Sequence, residues 1–250
     1  MPNSKAWRAA ALIIVAAAFA LQGSYIIGLP GASAISPTIG TPAFIQATEA
    51  HSSGTPTSLS VSFGVLPATK HVAILATFGT SIGSAGFKVT DNQGNAYSQL
   101  IGLGTLNGIP GLWCAPILTS SGTFTITATA TTNVLIGVFA LEYSGTSCNL
   151  DKAAATLSNT SPYNCGSLTT QNAKDLLLVL LDTLSSTGTI TYTAPTGFTI
   201  EKSQGVAATG QTAAIADQIV SATATYAPTF GASQNISSTP CLSVALLSSP

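Results

Sequence analysis

The chain has 250 residues, 46% of them hydrophobic and only 6% charged, with a formal net charge of -1. Ordinary globular proteins carry roughly 25% charged residues, so polarity here comes from Ser, Thr, Asn and Gly rather than from ions. Nothing offers the clustered Lys and Arg that displace counterions from phosphates, which excludes a nucleic-acid partner.

Lys5 and Arg8 precede the uninterrupted apolar run Ala9–Leu21, and Ala32-Ser33-Ala34 supplies a small-residue cleavage pattern. The run is shorter than the about 20 residues a membrane span needs. Residues 1–34 therefore read as a signal peptide or, if uncleaved, as an N-terminal anchor, the one expected route to a membrane. Residues 35–42 follow as an extended lead-in, because Pro37 and Pro42 forbid regular helix. Export predicts a secreted or cell-surface protein in an oxidising compartment.

From Ala43 onward the pattern is all-β. Leu59, Val61 and Phe63 alternate with Ser58, Ser60 and Ser62, and Phe124, Ile126 and Ala128 alternate with Thr123, Thr125 and Thr127. Val134–Leu141 and Leu176–Leu181 are continuously apolar and are expected to be central strands. The order also recurs. HVAILATF at His71–Phe78, Gly86-Phe87 opening FKVTDNQG, LWCAPIL at Leu112–Leu118 and LIGVFALEY at Leu135–Tyr143 form one series. DLLLVLLDT at Asp175–Thr183, Gly197-Phe198 opening FTIEKSQG, AAIADQIV at Ala213–Val220 and CLSVALL at Cys241–Leu247 form the next. This duplication predicts two tandem homologous halves, 43–146 and 147–250, packed as one compact β-sandwich.

The four cysteines, Cys114, Cys148, Cys165 and Cys241, allow three disulfide connectivities. Cys148–Cys165 is the favoured pair, closing a polar loop between the halves. Cys114 and Cys241 are then either a second bridge or buried thiols. Spacing excludes a C-x-x-C metal or redox site. Asn159-Thr160-Ser161 and Asn235-Ile236-Ser237 are N-glycosylation sequons.

Few side chains could carry chemistry. Asp91-Asn92-Gln93-Gly94-Asn95 is dense in oxygen ligands but lacks EF-hand spacing, and it reads as a hairpin turn capped by Asp91. His51 and His71 are the only histidines, and no G-x-S-x-G elbow accompanies them. Glu142 with Asp217, or Asp182 with Glu201, could be paired as glycosidase carboxylates, though nothing in the sequence fixes their separation. Isolated strand carboxylates more often face solvent. Beyond the N-terminal segment the only tryptophan is Trp113, in an apolar strand that favours a core role, which leaves Tyr97, Tyr143, Tyr163, Tyr192 and Tyr226 as sugar contacts.

The stretch GFKVTDNQGNAYSQL, the LWCA strand and the EYSG ending at Glu142–Gly145 resemble a recurring β-sandwich module of secreted microbial surface proteins. The second half continues the likeness with DLLL at Asp175–Leu178, P-x-GFT at Pro195–Thr199 and AIADQ at Ala214–Gln218. The resemblance covers Ala43 to Leu247 and departs at Cys114, where an aromatic is common. It implies an extracellular immunoglobulin-like or jelly-roll sandwich and does not imply catalysis. The expected function is therefore non-enzymatic: a structural or adhesive surface protein, with a filament or surface-layer subunit as one form and a carbohydrate-binding adhesin as the alternative. Expected partners are copies of itself or surface glycans; no cofactor or metal is expected. The lead-in and first strand could also add to a neighbour's sheet edge, against the plainer expectation that Ala43–Thr48 pairs within its own domain.

Overall fold

The computed structural model describes residues 40–79, 86–103, 110–183, 188–205 and 211–249. Residues 1–34, expected from the sequence to be a signal peptide or anchor, and most of the lead-in lie outside the described residues. The first half forms β1 (Ala43–His51), β2 (Ser58–Ser62), β3 (Val72–Phe78), β4 (Phe87–Asp91), β5 (Ser98–Gly102), β6 (Gly111–Pro116), β7 (Thr125–Ala130) and β8 (Gly137–Ser144). The second begins with β9 (Thr146–Ser158), β10 (Tyr163–Asn164), β11 (Leu168–Thr169), β12 (Leu176–Asp182) and β13 (Tyr192–Thr193). It ends with β14 (Thr199–Gln204), β15 (Ala213–Ile219), β16 (Thr225–Tyr226), β17 (Thr229–Ala232) and β18 (Thr239–Ser248). The described residues contain no helix.

In the first half a five-stranded sheet β1-β8-β3-β6-β5 lies against a three-stranded sheet β2-β7-β4. In the second half β9-β18-β12-β15-β14 repeats the first order strand for strand, and its outer layer is split into β10-β17-β13 and β11-β16. The antiparallel pairs β1·β8, β2·β7 and β3·β6 return as β9·β18, β10·β17 with β11·β16, and β12·β15. This nested pairing is the jelly-roll order, distinct from the sheet order of an immunoglobulin domain.

The layering follows from strands that are apolar on both faces. Every residue of β3 and β12 is buried, so each needs cover on two sides. Val72, Ile74, Ala76 and Phe78 of β3 meet Leu176, Leu178 and Leu180 of β12 in one core shared by the halves. The opposite face of β3, with Ala73 and Leu75, packs under Val61, Phe124 and Ile126 of the outer layer. Val179 and Leu181 pack against Tyr163 and Phe230, and Leu177 against Leu168. Each half is thus a sandwich in its own right, and the two inner sheets face one another. A single sandwich shared between the halves would leave the second faces of β3 and β12 in water.

Three further expectations are corrected. First, FKVTD and FTIEKSQ are not equivalent: β4 pairs with β7 in an outer sheet, whereas β14 pairs with β15 in an inner one. The true counterpart of β14 is β5, and the shared turn glycines are Gly94 and Gly197, at φ 80° and 85°. The Asp91–Asn95 turn is accordingly a corner between sheets rather than a hairpin. Second, the longest strand, β9, occupies the stretch read as a disulfide loop. Third, the disulfides are Cys114–Cys148 and Cys165–Cys241, with Cα separations of 5.5 and 4.7 Å, in place of Cys148–Cys165 and Cys114–Cys241. The extended strand β9 lies between Cys148 and Cys165 and, at about 3.3 Å per residue, carries them far apart. No cysteine is free, the pattern of an oxidising environment.

β1 pairs along its length with β8 of the same chain, so the first strand is not projected toward a neighbour. The edge strands of both inner sheets, β1, β5, β9 and β14, each carry a register shift, while the interior ladders carry none. Bulges twist an edge away from further pairing.

The halves meet at Gly145, where the chain turns from β8 into β9 at φ 66°. A Cβ there would stand 2.2 Å from the Thr41 carbonyl oxygen, so only glycine fits. Ser249 N donates to Gly145 O at 3.0 Å and Gly40 N donates to Ser249 O at 2.7 Å. Chain entry, chain exit and the junction between halves therefore lie together.

Candidate functional site

Strand register defines two ends of the molecule. At one, which we call the entry end, β3 and β12 begin and β6, β8 and β15 finish: Val72 lies opposite Pro116 and Tyr143, and Leu176 opposite Ile219 and Leu246. The Cys114–Cys148 bridge joins the halves toward this end. At the far end Gly79 N donates to Asp182 Oδ2 at 3.1 Å, and Gln211 Nε2 donates to Ser52 O at 3.1 Å.

The entry end of the first half is organised around Glu142, a buried carboxylate on β8. Its Oε1 accepts from Ala68 N at 3.0 Å and from His71 Nδ1 at 2.6 Å, and its Oε2 accepts from Gln46 Nε2 at 2.7 Å. The Gln46 amide in turn donates to Val65 O at 2.8 Å and accepts from Val65 N at 3.2 Å. A charged acceptor with several aligned donors is among the stronger protein hydrogen-bond arrangements. Here it fixes the loop 64–71. Replacing Glu142 by alanine strands the Ala68 and Gln46 donors; the expected cost is about 3 kcal/mol in denaturant unfolding, with Glu142→Gln recovering part of it.

The second half repeats the frame with different chemistry. Lys70 and Lys174 both take left-handed conformations, φ 70° and 69°. Lys70 N donates to Ile117 O and Ile117 N to His71 O, matched by Lys174 N to Val220 O and Val220 N to Asp175 O. Asp175 thus occupies the position of His71. Its neighbour is Asp151, whose Oδ2 accepts from Gln171 N at 2.7 Å. Neither oxygen of Asp175 meets a hydrogen-bond donor among the described residues. Burial, then the nearby Asp151 carboxyl, push Asp175 up to about 7.

A second acid pair lies toward the same end, in the face between the halves. Burial and the adjacent Asp217 push Glu201 up to about 7, and burial also raises Asp217. Burial, with the Asp217 charge beside it, raises the Tyr143 phenol from the first half. Strand pairing sets Cys114 opposite Ser98 and Asp217 opposite Thr199. The acid pair therefore takes, in the second half, the place that the inter-half disulfide takes in the first.

The carboxylates offered as catalytic pairs are not brought together as the sequence suggested. Glu142 joins His71 rather than Asp217, Asp217 joins Glu201, and Asp182 holds Gly79. The partners were hidden because bulges in β1 and β14 set which residues face each other. Asp91 receives Gln93 N, Asn95 N and Asn95 Nδ2 at 2.9, 3.0 and 2.8 Å, so both its oxygens serve the turn. His51 is exposed at the far end of β1. Trp113 is in the core of the first half.

Among the tyrosines considered for sugars, Tyr143 and Tyr163 are wholly buried, the Tyr97 hydroxyl is buried, and Tyr192 bonds Thr183. Tyr226 differs. With Thr196, Phe198, Gln218, Pro228 and Thr229 it lines a groove of about 320 Å³, beside the break that splits the outer layer at Pro228. Asn159 and Asn235 are exposed and brace one another's loops: Asn159 Oδ1 accepts from Ser238 N and Asn235 Oδ1 from Ser161 N, both at 2.8 Å.

Comparison with protein-family models, with curated proteins and with solved structures gives no match to this chain.

Proposed function

We propose that the chain is a non-enzymatic surface module working outside the cytoplasm, a rigid structural or adhesive unit displayed on the cell. The observation that carries this reading is the use made of its polar groups. Glu142, His71, Asp91 and Asp182 each bind the module's own backbone or side chains. Two disulfides with no free thiol fit an oxidising location. The bulged edges favour a discrete unit, so that contacts between copies in a layer or filament would use faces and loops rather than added strands. Biotinylation of intact source cells with a membrane-impermeant amine reagent tests the location. Labelling of the chain before lysis is expected; labelling only after lysis overturns the reading.

The groove at Tyr226 favours carbohydrate binding as a second reading, because it combines the rings of Phe198 and Tyr226 with the Gln218 amide and two threonine hydroxyls in an uncharged lining. Glycan-array binding that Tyr226→Ala abolishes, with unfolding unchanged, is the expected result. An array without signal removes it.

A further inference from the structure

The large apolar side chains left exposed are not scattered. The described residues contain seven, and all but Leu157 lie at the entry end: Ile45, Val65, Leu66, Leu118, Leu150 and Ile219. Val65 and Leu118 are 71% and 73% exposed. Their positions follow from register. Ile45 is the bulged residue near the start of β1, Leu118 follows β6, Ile219 pairs with Leu176 at the start of β12, and Leu150 pairs with Leu246. Leu157 lies opposite Pro240, toward the far end.

These side chains are held out by fixed backbone rather than by loose loops. Val65 is bonded through both N and O to Gln46, and Ala68 to Glu142. Leu118 N donates to Asn95 Oδ1 at 2.9 Å, and Ser120 Oγ donates to Pro67 O at 2.6 Å, tying the two loops together. Exposed Lys70 and Lys174 stand beside the apolar groups at equivalent positions of the two halves. The chain enters the module at this same end, at Gly40. Upstream lies the apolar run Ala9–Leu21, and residues 22–39 can span at most about 60 Å. Apolar patches of this kind mark interaction surfaces, and apolar groups flanked by lysines suit the interface of an anionic bilayer.

We infer that the entry end rests on the lipid surface, with Val65, Leu66 and Leu118 inserted at the headgroup boundary and Lys70 and Lys174 over anionic headgroups. The far end is thereby presented outward. This rests on retention of residues 1–34 as an anchor, which raises the local concentration of the tip at the bilayer.

The test uses the full chain reconstituted into phosphatidylcholine vesicles containing a minority of phosphatidylglycerol and brominated acyl chains. Leu118→Trp places an indole at the tip and Thr55→Trp one at the far end, each compared with the unsubstituted chain. Leu118 is exposed, so the substitution does not disturb the core. The added emission of L118W is expected to be largely lost to bromine quenching and that of T55W retained, and Val65→Asp with Leu66→Asp should restore L118W. Flotation with the vesicles but no quenching of L118W overturns the tip contact and leaves the anchor standing, including where light scattering shows a second copy covering the tip. Failure to float overturns the anchoring on which the inference rests.

Discussion

Removing both cysteines of a bridge will lower the unfolding free energy by about 4.5 kcal/mol for Cys165–Cys241 and about 3.8 kcal/mol for Cys114–Cys148. The estimates follow from sequence separations of 76 and 34 in the loop-entropy relation. The two losses also differ in kind. Cys165–Cys241 closes a ring within the second half, joining the outer layer to β18, so its loss should show as earlier unfolding of β10 and β17. Cys114–Cys148 joins the halves, so its loss should loosen the shared face first, seen as faster amide exchange in β6 and β9. Denaturant unfolding of the two double alanine variants gives the ranking, and peptide mapping without reduction gives the pairing. A peptide joining Cys148 to Cys165 would contradict the fold, because β9 holds those residues apart.

The second large effect is an inverted dependence on pH. Asp175 and Glu201 are pushed up to about 7 from ordinary values of 3.8 and 4.5, and Asp217 is raised with them. A carboxyl that binds its proton more tightly when folded stabilises the fold fully below its unfolded value. That contribution is lost as pH rises through the folded value. Stability should therefore be greatest near pH 4 and fall by on the order of 2 kcal/mol by pH 8, after discounting for solvent around half-buried Glu201. Thermal unfolding should register this as a drop of about 4–8 °C in Tm. Asp175→Asn should remove one part of the slope and Glu201→Gln another. A stability that rises steadily from pH 4 to pH 8 would show that these acids are ionised in the fold. For a chain with so few charges, three raised carboxyls out of eight acidic residues are enough to set the sign.

The strands that the sequence makes plain are those whose side chains declare both faces. β2 and β7 alternate apolar and hydroxyl residues, β3 and β12 are apolar but for Thr77 and Asp182, and all are found as strands. β9 is missed because Ala, Ser and Thr make up most of it, and its only large apolar residues, Leu150 and Leu157, give neither alternation nor an apolar run. It is held by its ladder to β18 and by the Cys148 bridge rather than by large apolar side chains. The cysteine pairing fails for the same reason, since a strand mistaken for a loop brings the wrong residues together. The repeat is legible from its apolar strands, but the likeness of GF-KVTD to GF-TIEK misleads, because one turn glycine, Gly94 or Gly197, has different flanking residues in the two halves. The Glu142 hub and the acid pairs could not be read, because they depend on bulges at Ile45, Asp151 and Glu201 that leave no mark in composition. The apolar entry end was likewise hidden: its six residues come from five separate places in the chain and gather only through register.

Native-state amide exchange tests most directly whether the two halves form one framework around a shared core. Val72, Ile74 and Phe139 of the first half and Leu178, Leu180 and Val244 of the second belong to the same buried cluster, so their strands should open only together. The slowest amides of β3, β8, β12 and β18 are expected to share a single opening free energy and to lose protection at one denaturant concentration. Protection that fails in one half while the other stays closed would show two independent domains and contradict the account.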